Sequence, residues 1–365
     1  MANNIFYLTE ELFSEKLGAA ARPDTLVIIS KSAAERFQLT GLLAGWPGLW
    51  LDFAAPNPNQ YSLYDALQRV QGHPLHTIIA IGGGSSMDLA KLVAAFAAAP
   101  LPESPHALLQ AAKENRCPAP PQPPVHIIAV PTTAGTGSEV TEWATLWDKD
   151  EKAKYSVQAP WLMPAQAWIV PALTLALPPR LTLAAGLDAI TQAIEAYWAR
   201  KSDPLAKALA LQAIRILHKA LPQALQKPAS LDIREAMCTG SLMAGLAFSR
   251  TKTTACHSIS YPITAHFGVE HGFAAALTLA PVAALNSEKV NCAPLFDIIG
   301  TPPQLQQWLD DLCAPVQPLR LSAFGIPGDA IPLLADKAFT AGRMDNNPVP
   351  LNAAAVEAIL RQVYS

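Results

Sequence analysis

The chain has 365 residues, 51% of them hydrophobic and only 15% charged, enough for two domains with filled cores and a surface much of which packs against helices or other subunits. Its net charge of −3, without a basic block, leaves no electrostatic footprint for nucleic acid or an anionic membrane, so the expected partners are a small-molecule substrate and further copies of the chain, as a homodimer or larger homo-oligomer. Met1-Ala2-Asn3-Asn4 opens no signal-peptide pattern and no apolar run reaches the roughly 18 residues of a membrane span, so the expected location is the cytoplasm.

In the first half, apolar runs alternate with helix-compatible stretches, the pattern of a parallel α/β sheet. Thr25 to Ser30 reads as a buried strand and Ser32 to Leu39 as a helix. Leu49 to Phe53 is the next strand, Tyr61 to Gln71 a helix with apolar spacing, and Thr77 to Ile81 a third strand. Pro100 to Pro124 is rich in proline and reads as a long loop, and Val125 to Val130 is a fourth strand. After Pro178-Pro179 the periodicity is helical: Leu183 to Arg200, Pro204 to Lys219, Leu231 to Ala247, Thr254 to His266 with a kink at Pro262, and Gly272 to Leu285. The expectation is an α/β nucleotide-binding domain over residues 1–178 and an all-helical domain over 179–365.

Five cysteines (Cys117, Cys238, Cys256, Cys292, Cys313) are odd in number and lack CxxC spacing, which suggests neither disulfides nor a thiolate zinc site. Cys256 and His257 are helix neighbours about 100° apart, a poor arrangement for a nucleophile and its base.

Two glycine-rich loops carry the first chemistry. Gly82-Gly83-Gly84-Ser85-Ser86-Met87-Asp88 follows the third strand and opens a helix, a phosphate cradle by mechanism or a tight strand-to-helix corner. Pro131-Thr132-Thr133-Ala134-Gly135-Thr136-Gly137-Ser138-Glu139 follows the fourth strand, with hydroxyls as further donors. Two such turns at one sheet edge favour a nucleotide. In the helical half, Asp188 and Gln192 share a helix face and His257 and His271 lie on later segments. By spacing alone these serve equally as a divalent-cation cage or as a capping aspartate with core histidines.

These motifs, in order, with Gly186-Leu187-Asp188-Ala189, Ile194-Glu195-Ala196, His257 and His271-Gly272, resemble the iron-containing (group III) alcohol dehydrogenase family. The match is colinear from about residue 50 to Arg343-Met344-Asp345-Asn346-Asn347-Pro348. The resemblance implies that family's architecture, shared with dehydroquinate synthase: a nucleotide-binding α/β domain followed by a helical one. It implies NAD or NADP and a divalent metal, Fe2+ or Zn2+, with hydride transfer to a carbonyl that the metal polarises. Gly83, Gly84, Ser85 and Asp88 would hold the pyrophosphate. Thr132, Thr133, Thr136 and Ser138 would line the rest of the dinucleotide, with Asn57 and Lys154 as further contacts. Asp188, His257 and His271 fall on metal-ligand positions, and Gln192 stands where the family usually has a histidine.

Tyr261 replaces a histidine suspected of proton relay in relatives; its hydroxyl could relay a proton from that catalytic position, or the ring could simply pack in the core. Arg250 and Lys252, just ahead of His257, are two cations suited to an anionic substrate. The run from Thr251 to Pro262 resembles the phosphonoacetaldehyde reductase branch. Ser30-Lys31 at the end of the first predicted strand leaves NADPH open beside NADH. The expected activity is reduction of a small anionic aldehyde such as phosphonoacetaldehyde; the alternatives are a general short-chain alcohol dehydrogenase, a dehydroquinate-synthase-type lyase, or a nucleotide-binding protein that has lost its metal.

Overall fold

A computed structural model describes residues 4–114 and 124–365. Cys117 and the prolines from Pro118 to Pro123 lie outside the described residues. The chain folds as two compact units, one reaching Thr133 and continuing over Ser138–Thr174, the other comprising Ala134–Gly137 and Leu175–Ser365.

The first unit is built on a six-stranded parallel sheet. Its strands are β1 (Asn4–Tyr7), β2 (Thr25–Ile29), β3 (Leu49–Asp52), β4 (Thr77–Gly82), β5 (His126–Pro131) and, after two intervening strands, β8 (Gln166–Ile169), in the order β1-β8-β5-β4-β2-β3. Alternate residues of β4 enter opposite cores. Ile78 and Ala80 pack with α4 (Gln60–Val70), α5 (Gly84–Phe96) and α6 (Pro105–Lys113). Ile79 and Ile81 pack with α1 (Glu10–Ala19), α2 (Lys31–Arg36) and α3 (Thr40–Ala44). Burial on both faces is why β2 and β4 read as continuous apolar runs rather than alternating ones.

The strand order reverses at β2 and β4, since the chain visits edge strand β3 before crossing back to β4 and β5. Gly82 and Pro131 are register partners, so both glycine-rich loops leave the same edge side by side, where open α/β sheets hold ligands. A separate hairpin, β6 (Trp143–Asp148) and β7 (Ala153–Gln158), pairs antiparallel. Asp148 Oδ1 caps its turn, accepting from Asp150 N and Glu151 N.

Three expectations need correction. The proline-rich loop contains α6, which starts at Pro105 as its N1 residue with Ser104 as N-cap; proline is tolerated in a first turn because its missing N–H has no helical partner there. The hairpin adds two strands beyond the four expected, and Trp143 to Asp148 alternate half-buried and buried. The predicted helix from Gly272 to Leu285 is two helices, broken at Leu277-Thr278.

The second unit is helical throughout its described residues. Long helices α7 (Pro179–Trp198), α8 (Pro204–Gln226) and α9 (Leu231–Thr251) pack on one another. They are followed by α10 (Ala255–Phe267), continuous through Pro262, α11 (His271–Ala276), α12 (Leu279–Asn286), α13 (Ala293–Ile299), α14 (Pro302–Cys313), α15 (Ile331–Asp336) and α16 (Ala353–Gln362). Among the described residues no helix is long and apolar enough to cross a membrane.

Candidate functional site

Helix α7 is buried along nearly its whole length from Thr182, so its polar residues are conspicuous. Asp188, Gln192 and Glu195 recur at i, i+4 and i+7 and share one face. Asp188 is 4% exposed and Glu195 fully buried. Across from this stripe, His257 sits in the first turn of α10 and His271 opens α11. Ligand atoms of Asp188, His257 and His271 all lie within 4.8 Å of one another. His257 Nε2 is 3.2 Å and His271 Nε2 4.0 Å from Asp188 Oδ1.

Outer contacts hold the imidazoles. His257 Nδ1 is 2.5 Å from Glu195 Oε2. Glu195 Oε1 accepts from Thr254 Oγ1 and from Cys256 N, each at 2.7 Å, so this carboxylate also caps the N-terminus of α10. Burial pushes Glu195 upward, but the His257 charge and the donated hydrogen bonds outweigh it and hold the group below the usual carboxylate range. Burial alone lowers His257; the Glu195 charge and the Asp188 contact reverse this and raise its pKa to about 10. The pocket therefore stabilises positive charge at this point.

The residues fit a divalent cation. Gln192 is 4% exposed and its Oε1 has no hydrogen-bond partner, whereas its Nε2 donates to Thr136 O at 3.5 Å. A buried amide oxygen without a partner is costly unless something positive completes it. Asp188, Gln192 and two histidines make a mixed oxygen and nitrogen donor set of the kind that suits Fe2+ or Zn2+.

The close approach of α11 to α7 depends on Gly272. A Cβ there would stand 1.8 Å from Ala184 O and 3.1 Å from Asp188 N. Gly272→Ala should force the start of α11, and His271 with it, away from Asp188. The expected loss is roughly 1–3 kcal/mol together with reduced metal content, read by thermal melting and elemental analysis; an unchanged melting temperature with full metal would show that α11 adapts.

In the first unit, Gly83 is the N-cap of α5 and Gly84 its first residue, leaving backbone N–H groups for an anion. Ser85 Oγ accepts from Asn57 N at 3.0 Å, and Asn57 adopts a positive φ of 56°. Thr132 N donates to Gly82 O, and Thr133 lies beside Gly83. Lys154 stands in β7 opposite Trp147. Asp88 is half-buried and accepts from Ser138 Oγ and Thr145 N. Lys91 Nζ completes the network, donating to Ser138 O at 2.6 Å and to Ser138 Oγ, Thr141 Oγ1 and Trp143 O at 3.0 Å. Asp88 and Ser138 thus brace the second loop. Thr136 falls within the tetrapeptide grouped with the helical unit, where its carbonyl receives Gln192.

Residues 14–171 match the family described as iron-containing alcohol dehydrogenase, and residues 182–364 match the C-terminal domain of the same family. The chain belongs to the iron-containing alcohol dehydrogenase family. A phosphonoacetaldehyde reductase of Streptomyces viridochromogenes is 33% identical over 297 residues, covering 77% of this chain and 74% of that protein. A long-chain-alcohol dehydrogenase of Geobacillus thermodenitrificans is 31% identical over 305 residues, 79% of this chain and 75% of that one. The crystal structure of a sulfoacetaldehyde reductase from Bifidobacterium kashiwanohense in complex with NAD+ is similar with a TM-score of 0.86 at 26% identity, covering 100% of this chain and 97% of that one. As a family member the chain is an oxidoreductase acting on an alcohol–aldehyde pair.

Against this family background the three residues expected to be catalytic separate. Tyr261 is 6% exposed and stacks on His271, ring centroids 5.6 Å apart at 11°, so it packs beside the Asp188–His257–His271 group. Arg250 does not stand as a lone cation: its Nε and Nη2 bind Asp203 Oδ2 at 3.1 and 2.6 Å, and Asp203 is the N-cap of α8. Lys252 ends α9 with a positive φ of 61°. Asn346 Nδ2 donates to the carbonyls on either side of it, Thr251 O at 2.8 Å and Thr253 O at 3.1 Å. Glu195 was quoted in the sequence only as part of a motif. The signal for its role was its i+7 spacing from Asp188, but the partner, His257, is 62 positions away.

Proposed function

We propose that the enzyme reduces a small anionic aldehyde, phosphonoacetaldehyde or a close analogue, to the primary alcohol with NADH or NADPH and a divalent metal, Fe2+ or Zn2+. The observation that carries the substrate class is Lys252, a cation pinned by Asn346 in a sparsely populated backbone conformation five residues ahead of His257. Such conformations persist where the surroundings over-determine them, commonly at functional sites. Two of the relatives are named for two-carbon aldehydes bearing a strong anion, which supports the same class. Lys252, held in that conformation ahead of His257, is the residue proposed to meet the anion. The low share of charged residues supports a homo-oligomer.

In this reading Asp188, Gln192, His257 and His271 hold the cation, which supplies Lewis-acid polarisation of the carbonyl oxygen. The N–H groups at the start of α5 and the Thr132-Thr133 turn hold the dinucleotide phosphates. Tyr261 walls the cluster beside His271.

Lys252→Ala should lower kcat/KM for phosphonoacetaldehyde by roughly 10- to 100-fold, the worth of one charge-assisted hydrogen bond, and change propanal turnover by less than about threefold. Each turnover should consume one NADH or NADPH, which a dehydroquinate-synthase-type lyase would not do. Equal wild-type efficiency on propanal and phosphonoacetaldehyde would instead favour a general short-chain alcohol dehydrogenase, and wild-type turnover without metal dependence would sink the metal assignment.

A further inference from the structure

We propose that Glu195 and Ser260 are positioning residues that fix which nitrogen of each imidazole carries its proton, so that the Nε2 lone pairs of both His257 and His271 face the cation. The proposal rests on the metal reading above and follows from proton bookkeeping at two hydrogen-bond chains.

The first chain begins at Trp198. An indole N–H can only donate, and Trp198 Nε1 does so to Thr254 Oγ1 at 2.9 Å. The Thr254 hydroxyl therefore spends its own proton on Glu195 Oε1 at 2.7 Å. That oxygen also receives the Cys256 N–H at 2.7 Å. An ionised carboxylate accepts only, so its other oxygen, Oε2, must receive a proton from His257 Nδ1 at 2.5 Å. With Nδ1 protonated, a neutral imidazole has its lone pair at Nε2, the nitrogen 3.2 Å from Asp188 Oδ1.

The second chain reaches the same result without a charge. Ser260 Oγ donates its single proton to His257 O at 2.7 Å. Toward His271 Nδ1, 3.3 Å away, it can then only accept. His271 Nδ1 must carry the proton, and Nε2 is left to face Asp188. Glu195, Thr254 and Ser260 are each 0% exposed, whereas the His271 side chain is 31% exposed, so only the first chain is closed to water. The two chains differ in strength, since a carboxylate at 2.5 Å binds an N–H more tightly than a hydroxyl at 3.3 Å. Outer partners of metal-binding histidines generally fix ring orientation in this way.

The experiment loads wild type, Glu195→Gln and Ser260→Ala with Zn2+, dialyses each against chelator-buffered Zn2+ and measures bound metal by mass spectrometry, with circular dichroism as a check on folding. Glu195→Gln introduces an NH2 group among three donors and should weaken Zn2+ binding by about 10- to 100-fold; Ser260→Ala should weaken it by about 2- to 10-fold. The 15N histidine spectrum of the wild-type zinc form should show Nδ1–H for both rings. Zn2+ affinity unchanged in a folded Glu195→Gln, or an Nε2–H form of either ring, overturns the proposal. Failure of wild type to bind any metal overturns the metal reading beneath it. If Glu195→Gln does not fold, Ser260→Ala and the wild-type spectrum still decide.

Discussion

Asp188→Asn should leave a folded protein with almost no metal and with kcat/KM lower by about a thousandfold or more. The substitution keeps the shape of the side chain and removes the one anionic member of the candidate ligand set, whose other members are a neutral amide and two imidazoles. Loss of the several kcal/mol a Lewis acid supplies at a carbonyl oxygen corresponds to that factor. His257→Ala would be a poorer test, because it strands the fully buried Glu195 carboxylate opposite it, and breaking a buried pair costs about 3–5 kcal/mol in stability by itself. In Asp188→Asn the His257–Glu195 contact survives, so stability and catalysis are separable. Steady-state kinetics, metal analysis and a melting curve check the outcome. Chelated wild type should match the variant and recover with added Fe2+ or Zn2+, whereas the variant should not; activity within about tenfold of wild type would remove Asp188 from the site.

Lys91→Met is expected to produce the largest loss of stability in the nucleotide-binding unit. Lys91 is fully buried, and burial lowers its ammonium to about 8 against the attraction of Asp88 and Glu139. Both carboxyls are pushed upward, first by their own burial. Methionine fills much of the volume but abandons four acceptors and removes the cation that faces buried Glu139 and half-buried Asp88. A broken buried ion pair costs about 3–5 kcal/mol, or roughly 10 °C for a unit of this size. Because Nζ binds the Ser138 and Trp143 carbonyls, the turn from Pro131 to Thr141 should loosen with it and dinucleotide binding should weaken. Calorimetry and hydrogen exchange across that turn report the two effects. A shift below about 2 °C would mean that the network is hydrated and contributes little.

The separation of residues into those that were legible and those that were not follows the range of the forces involved. β2, β4 and β5 were readable because a strand buried on both faces is a run of apolar residues, a property of five or six neighbours. Short strands divide: β3 is legible at four residues, whereas β1 and β8, of the same length, are not. The hairpin β6–β7 had its alternation in view, but its exposed face includes Trp143 and Trp147, which blurs the contrast. Gly82 to Ser86 and Pro131 to Ser138 were legible as loops because glycine and hydroxyl residues after a strand act through the local backbone.

What the sequence determined by itself was the order of an α/β half and a helical half, the two phosphate-type loops, and Asp188, Gln192, His257 and His271 as a possible donor set. The first two depend on composition, on period or on spacing within one segment, and the donor set on the resemblance of several segments taken in order. Only the tertiary structure decided that Asp188, His257 and His271 converge within a few ångströms, that Gln192 Oε1 is left without a partner, and that Glu195 and Ser260 hold the rings. It also gave Asp88 a place in the Lys91 network and Arg250 a partner in Asp203. Most of these pairings join groups 47 to 69 positions apart, and no local pattern records which partner a charge will meet.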